Sequence, residues 1–180
     1  MWEKVGDYGW KWIFFAYFYF LKIKMNMTSF IGDYICKVDE KGRLLFPSSL
    51  KKQNKSASAD RYVAKKDIFE NCLVLYTMEE WERQNDLIRR NTNPYNREHS
   101  KFLREFYRGT AELTLDSNGR LLIPKRLLDS IQVNKEIALS GQDSRIEIWA
   151  KEIYEAHETN EDAFAELAEK ILGSTPLSNE

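Results

Sequence analysis

The 180-residue chain predicts an α+β fold assembled from two copies of one small β-rich module. Three observations carry this expectation. The stretch Asp39-Glu-Lys-Gly42-Arg43-Leu-Leu-Phe-Pro47-Ser-Ser-Leu50 returns 77 residues later as Asp116-Ser-Asn-Gly119-Arg120-Leu-Leu-Ile-Pro124-Lys-Arg-Leu127, with seven of twelve positions identical. Strand-like runs bounded by turn residues flank both copies, whereas the segments between and after them carry helical apolar spacing. Third, with 43% hydrophobic and 31% charged residues and only eight Gly and four Pro, the composition is that of a soluble globular domain, which excludes bulk disorder and fibrous repeats.

In chain order, residues 1–26 differ from the rest. They hold ten of the 24 aromatics and four Lys against Glu3 and Asp7. The apolar run 13–21 is nine residues long, too short to span a bilayer, which takes about 20. Nor does the segment carry the basic start and small-residue cleavage site of a secretory signal. Three readings remain: an interfacial anchor, an aromatic packing arm, or upstream sequence ahead of a start at Met25 or Met27.

Residues 31–38 and 111–115 read as strands, the second alternating Ala111, Leu113 and Leu115 against Glu112 and Thr114. Asp-x-x-Gly then reads as a tight turn: the Asp side chain accepts from nearby backbone amides, and Gly42 or Gly119 takes a positive φ at little cost. Short apolar strands follow at 44–46 and 121–123. Pro47 and Pro124 fit the first position of a helix, with Leu50, and with Leu127, Leu128 and Ile131, facing the core. Paired strands are expected at 62–65 with 73–76 and at 137–140 with 145–149, the latter joined by the hairpin signal Gly141-Gln-Asp-Ser. A module of about 45 residues is too small for a core of its own, so the two are expected to complete a shared small barrel.

Helices are expected at 79–90 and 97–107, with Trp81, Ile88, Phe102, Leu103 and Phe106 on their buried sides, and at 151–172, with Phe164, Leu167, Ala168 and Ile171 forming one apolar face. Gly173-Ser-Thr-Pro176 stops the last helix, leaving a frayed tail.

The chemistry of catalysis is thin. His99 and His157 lie near no nucleophile pattern, and no phosphate-binding loop or metal-ligand spacing occurs, so neither an enzyme nor a cofactor is expected. Cys36 and Cys72 sit in separate apolar runs and read as buried reduced thiols. The formal charge of −1 conceals an asymmetry: residues 151–180 carry eight acids against Lys151 and Lys170, and residues 27–150 come to +3.

The repeated turn is the specific feature. It sets an acid and a base four residues apart, so that Asp39 can pair with Arg43 and Asp116 with Arg120; each Arg either braces its turn or a subunit contact, or meets a ligand. The first copy has more positive charge around it, in Lys37, Lys41, Arg43, Lys51, Lys52 and Lys55, where the second has Thr114 and Asn118 in place of Lys37 and Lys41. Lys and Arg gain affinity for a phosphate backbone by releasing condensed counterions, which makes the first turn the better candidate for nucleic acid.

The doubled Asp-x-x-Gly-Arg-Leu-x-x-Pro, the Cys72-Leu-Val-Leu-Tyr76 run followed by Glu80-Trp81-Glu82, and the late Gly141 then Ile146-Glu-Ile-Trp149 together resemble the MraZ family of bacterial transcriptional regulators of the division and cell-wall gene cluster. The turn alone indicates only the wider AbrB/SpoVT group; the combination, over about residues 27–153, is more specific. The resemblance implies two swapped-hairpin AbrB-like modules at 31–78 and 110–153, a helical connector at 79–108, and an acidic C-terminal helix and tail at 154–180, with 1–26 an extension that has no counterpart in the family pattern. It also implies ring-shaped homo-oligomers, binding to direct repeats in double-stranded promoter DNA, and a cytoplasmic, nucleoid-associated protein with no small-molecule substrate and no membrane role. The motif positions carry over onto Asp39, Gly42, Arg43 and Pro47 and onto Asp116, Gly119, Arg120 and Pro124, with Lys37, Lys41, Arg43 and Lys51 as the DNA-facing residues. Lys51 stands where the family commonly has Arg, which turns a fork-shaped donor into a point charge. The rival reading is a ring-forming scaffold or membrane-associated assembly protein.

Overall fold

A computed structural model describes residues 28–157 and 161–173; the aromatic run 13–21 and the tail after Gly173 lie outside them. Along the chain come β1 (Phe30–Lys37), β2 (Arg43–Leu45), α1 (Ser48–Gln53), β3 (Arg61–Lys66), β4 (Leu73–Thr77), α2 (Met78–Asn91), α3 (Arg97–Tyr107), β5 (Ala111–Thr114), β6 (Arg120–Leu122), α4 (Lys125–Ser130), β7 (Glu136–Asp143), β8 (Arg145–Ala150), α5 (Lys151–Ala156) and α6 (Glu161–Leu172). The fold is α+β.

Every strand pairing is antiparallel. Six strands form one sheet in the order β1-β7-β8-β4-β3-β5, and β2 pairs with β6 in a separate two-stranded ribbon. Exchanging each strand with its repeat partner, β1 with β5, β3 with β7 and β4 with β8, reproduces the same order read from the other end. The first strand of each half lies on the other half: β1 pairs with β7, and β5 with β3. The expected closed barrel is not found. Among the described residues the sheet stays open at β1 and β5, because the strand after each turn leaves it to join the ribbon.

The halves share one hydrophobic core. Leu44, Leu50, Tyr62, Leu121, Ile123 and Ile131 belong to a single cluster and are all but inaccessible to water. At about 1.5 to 3 kcal/mol for each fully buried large apolar side chain, this shared cluster outweighs what either half offers alone. Alternation in β5 follows the expected pattern, with Leu113 inward and Glu112 and Thr114 outward. The β7–β8 hairpin turns at Asp143 and Ser144, where Asp143 takes a φ of +55°.

Local chemistry sets the helix ends. The Thr77 hydroxyl accepts from the Glu80 amide to cap α2, and the Asn96 side chain caps α3 by accepting from the Glu98 and His99 amides. Pro47 and Pro124 stand one residue earlier than expected, as the N-caps of α1 and α4, with extended ψ values of 125° and 133°. On the connector, Trp81 stacks on Phe106 at 6.1 Å. Lys65, only 3% exposed, sets its Nζ 4.1 Å from the centroid of the same Phe106 ring. Phe102, expected inside, is 40% exposed.

Two further expectations are corrected. The helix expected over 151–172 is described as two, α5 and α6, and the apolar face of the second is not buried: Phe164 and Leu167 are half or more exposed. Periodicity reveals an apolar stripe but not whether this chain supplies its cover. Cys72 is buried and its thiol pKa is pushed up by desolvation, whereas Cys36 is only partly buried; both are free thiols. Among the described residues no helix is long and apolar enough to cross a membrane.

Candidate nucleic-acid interface

The two turns have one backbone plan. The Asp39 amide donates to the Arg43 carbonyl, and the Gly42 amide to the Asp39 carbonyl, each at 2.9 Å; Asp116, Arg120 and Gly119 repeat both bonds at the same distance. In each turn the Asp Oδ1 accepts two further amides, from Lys41 and Arg43 or from Asn118 and Arg120. These bonds explain why Asp suits the first position of the motif: its short side chain supplies an acceptor that an apolar one lacks. Gly42 and Gly119 have φ of +84° and +72°, the left-handed region in which a Cβ is strained.

Side chains break the symmetry. Arg43 donates from Nε to Asp39 Oδ2 at 2.8 Å, and its Nη2 lies 2.8 Å from the same oxygen. The Arg43 amide and then its guanidinium hold the Asp39 carboxyl below the usual carboxylate range. The matching pair expected in the second turn does not form: among the described residues no ion pair joins Arg120 to Asp116, and Arg120 is exposed. One acid therefore aims one arginine, while the other acid only shapes its turn.

The turns are fastened to each other at the ribbon. The Ile123 amide donates to the Gly42 carbonyl at 2.9 Å, and the Phe46 amide to the Gly119 carbonyl at 3.0 Å. Register in β2–β6 sets Arg43 opposite Leu122 and Leu45 opposite Arg120. Residues two apart share a face, so all four lie on one side of the ribbon, with Leu44 and Leu121 buried on the other.

The basic residues expected at the first turn are not all at one point. Lys41 is exposed at the turn tip, and among the described residues its side chain makes no ion pair or hydrogen bond. Lys37 ends β1, and Lys51 lies in α1 in an ion pair with Asp60 at 2.9 Å. Lys37 and Lys51 line one open groove of about 740 Å³ that also meets Pro47 and, from the second repeat, Asn118 and Gly119. The fold thus joins basic residues of one repeat to the turn of the other. Sequence reading missed two ribbon residues, Leu45 and Leu122, which are 67% and 52% exposed; the signal was available in the alternation Leu44-Leu45-Phe46 and Leu121-Leu122-Ile123, whose outer members point inward.

Two repeats of a turn-and-ribbon unit, interlocked by strand exchange and presenting paired arginines on a shared outer face, define a duplicated-turn protein of the α+β class. The sequence profile of the MraZ protein family matches residues 29–101 and again 106–174, and the chain belongs to that family. It is 45% identical over 151 residues to the transcriptional regulator MraZ of Christiangramia forsetii, covering 82% of this chain and 96% of that one. The MraZ of Flavobacterium psychrophilum is 41% identical over 152 residues, covering 82% and 94%, and that of Desulfitobacterium hafniense 32% identical over 145 residues, covering 79% and 96%.

Proposed function

We propose that this chain is a sequence-specific transcriptional regulator that binds double-stranded promoter DNA at short direct repeats, acting on the division and cell-wall gene cluster as a ring-shaped homo-oligomer. Its relatives are named transcriptional regulators, and the observation in this chain that carries the reading is Arg43, aimed by Asp39 on an exposed turn beside Lys41. A cation held in one geometry loses less entropy on meeting a phosphate or a base edge than a free one does. The exchange of first strands between halves supports modules at 31–78 and 110–153 of the swapped-hairpin kind, joined by the 79–108 connector. A protomer near neutrality binds DNA weakly by charge alone, so several copies acting on successive repeats supply the affinity through effective concentration. The corresponding location is the cytoplasm, at the nucleoid.

A scaffold or membrane-associated assembly role is favoured by one observation only, the exposed Phe164 and Leu167 on α6. Selection of duplexes by the full chain from a random pool separates the two. A regulator enriches a repeated sequence and holds it in a salt-dependent complex; a scaffold enriches none.

A further inference from the structure

The ribbon face combines charge with apolar surface in a way that phosphate binding does not account for. Arg43 and Arg120 stand diagonally across β2–β6, each directly opposite a leucine, Leu122 and Leu45. Both leucines are more than half exposed, although the residues on either side of them, Leu44 and Phe46, and Leu121 and Ile123, are buried. Two large aliphatic side chains held in water cost free energy unless a partner covers them. Their position between two arginines gives that partner a character: polyanionic along its edges and apolar in patches between.

We infer that Leu45 and Leu122 are specificity-determining residues that pack on thymine methyl groups in the major groove of the promoter duplex, while Arg43 and Arg120 fix the ribbon to that groove. The inference rests on the DNA-binding reading above. A two-stranded antiparallel ribbon, with strands about 4.8 Å apart, enters the major groove, which is about 12 Å wide. Within that groove the thymine C5 methyl is the apolar group that a side chain without donors or acceptors reads. The near two-fold relation of the repeats places one leucine on each strand, and therefore predicts methyl contacts on both sides of the ribbon's centre.

The test uses duplexes that the full chain selects from a random pool, synthesised either with thymine or with uracil, which lacks only that methyl group. The wild-type chain is expected to bind the uracil duplex about fourfold more weakly for each contacted methyl, the equivalent of one buried carbon. Leu45→Ala and Leu122→Ala, both at exposed positions, are expected to lower affinity for the thymine duplex and to bring the two duplexes to equal affinity in the double variant, with the salt slope unchanged because no charge is lost. Equal wild-type affinity for the two duplexes overturns the inference and leaves the DNA-binding reading standing; absence of binding to either overturns that reading as well. A thymine preference that survives in the double variant also overturns the inference, since duplex deformability would then carry it. So does a change in oligomer mass by light scattering with the preference intact, which would give the leucines to a second copy of the chain.

Discussion

A Cβ placed on Gly42 would lie 2.4 Å from the carbonyl oxygen of Ile123, whereas one on Gly119 would meet nothing within 4 Å. The two glycines hold the same motif position and both have a positive φ, yet only Gly42 is pressed against the opposite repeat. Gly119→Val carries the left-handed strain alone and is expected to cost about 1 to 2 kcal/mol. Gly42→Val adds a collision with backbone that has no room to yield, and is expected to cost about 3 to 5 kcal/mol. Denaturant unfolding of both variants checks the difference; equal losses would contradict the close approach.

Asp39 positions Arg43 through its Oδ2 and shapes the turn through its Oδ1. Asp39→Ala is therefore expected to weaken duplex binding although it removes a negative charge, the opposite of what simple electrostatics predicts. Its carboxyl titrates below the ordinary range in the folded chain, so the unfolded state binds more protons in that window. The stabilising contribution is present above the ordinary carboxylate pKa and is lost as pH falls through the lower, folded one. Acid titration of stability is expected to lose part of its slope in the variant.

Lys65 is a buried cation over the Phe106 ring, and burial lowers its pKa against the opposing pull of Asp67. A base with a depressed folded pKa leaves more protons on the unfolded state between the two values, so stability rises with pH up to the ordinary lysine pKa near 10.5. Lys65→Met is expected to keep the fold and to flatten this alkaline rise, as read by melting temperature as the pH is raised towards the ordinary lysine pKa. An unchanged slope would mean that the ammonium is not desolvated.

Neighbouring leucines on one strand should behave oppositely. Leu121 is fully buried, and Leu121→Ala is expected to cost about 2 to 5 kcal/mol through the cavity it leaves. Leu122→Ala, on the outer face, is expected to change stability by less than about 0.5 kcal/mol. Comparable losses at both positions in thermal unfolding would contradict the register of the ribbon.

Much of this organisation was legible in the sequence, because the repeat fixes its own internal comparison: Asp39 and Asp116, with their glycines, dictate a turn by local hydrogen bonding alone. What local chemistry cannot convey is pairing at long range. Nothing in 30–37 says that its partner is β7 and not a strand of its own half, and nothing in 43–45 says that β2 leaves the sheet to pair with β6, which keeps the sheet open. The same limit explains the site. Lys37, Lys41, Lys51 and Arg43 read as one basic cluster, but Lys37 and Lys51 line a groove with Gly119 of the other repeat, while Arg43 and Lys41 belong to the first turn. The pairing of Asp116 with Arg120 failed because spacing permits an ion pair on an exposed turn without requiring one.

Contact between the first turn and DNA is read out by equilibrium binding of the full chain and of Arg43→Ala to a selected duplex across a range of salt concentrations. Loss of one phosphate or base contact predicts weaker binding by Arg43→Ala, a shallower dependence of affinity on salt, and a retained fold that loses at most the small contribution of an exposed ion pair. Affinity and salt slope equal to those of the unaltered chain would mean that Arg43 does not meet DNA.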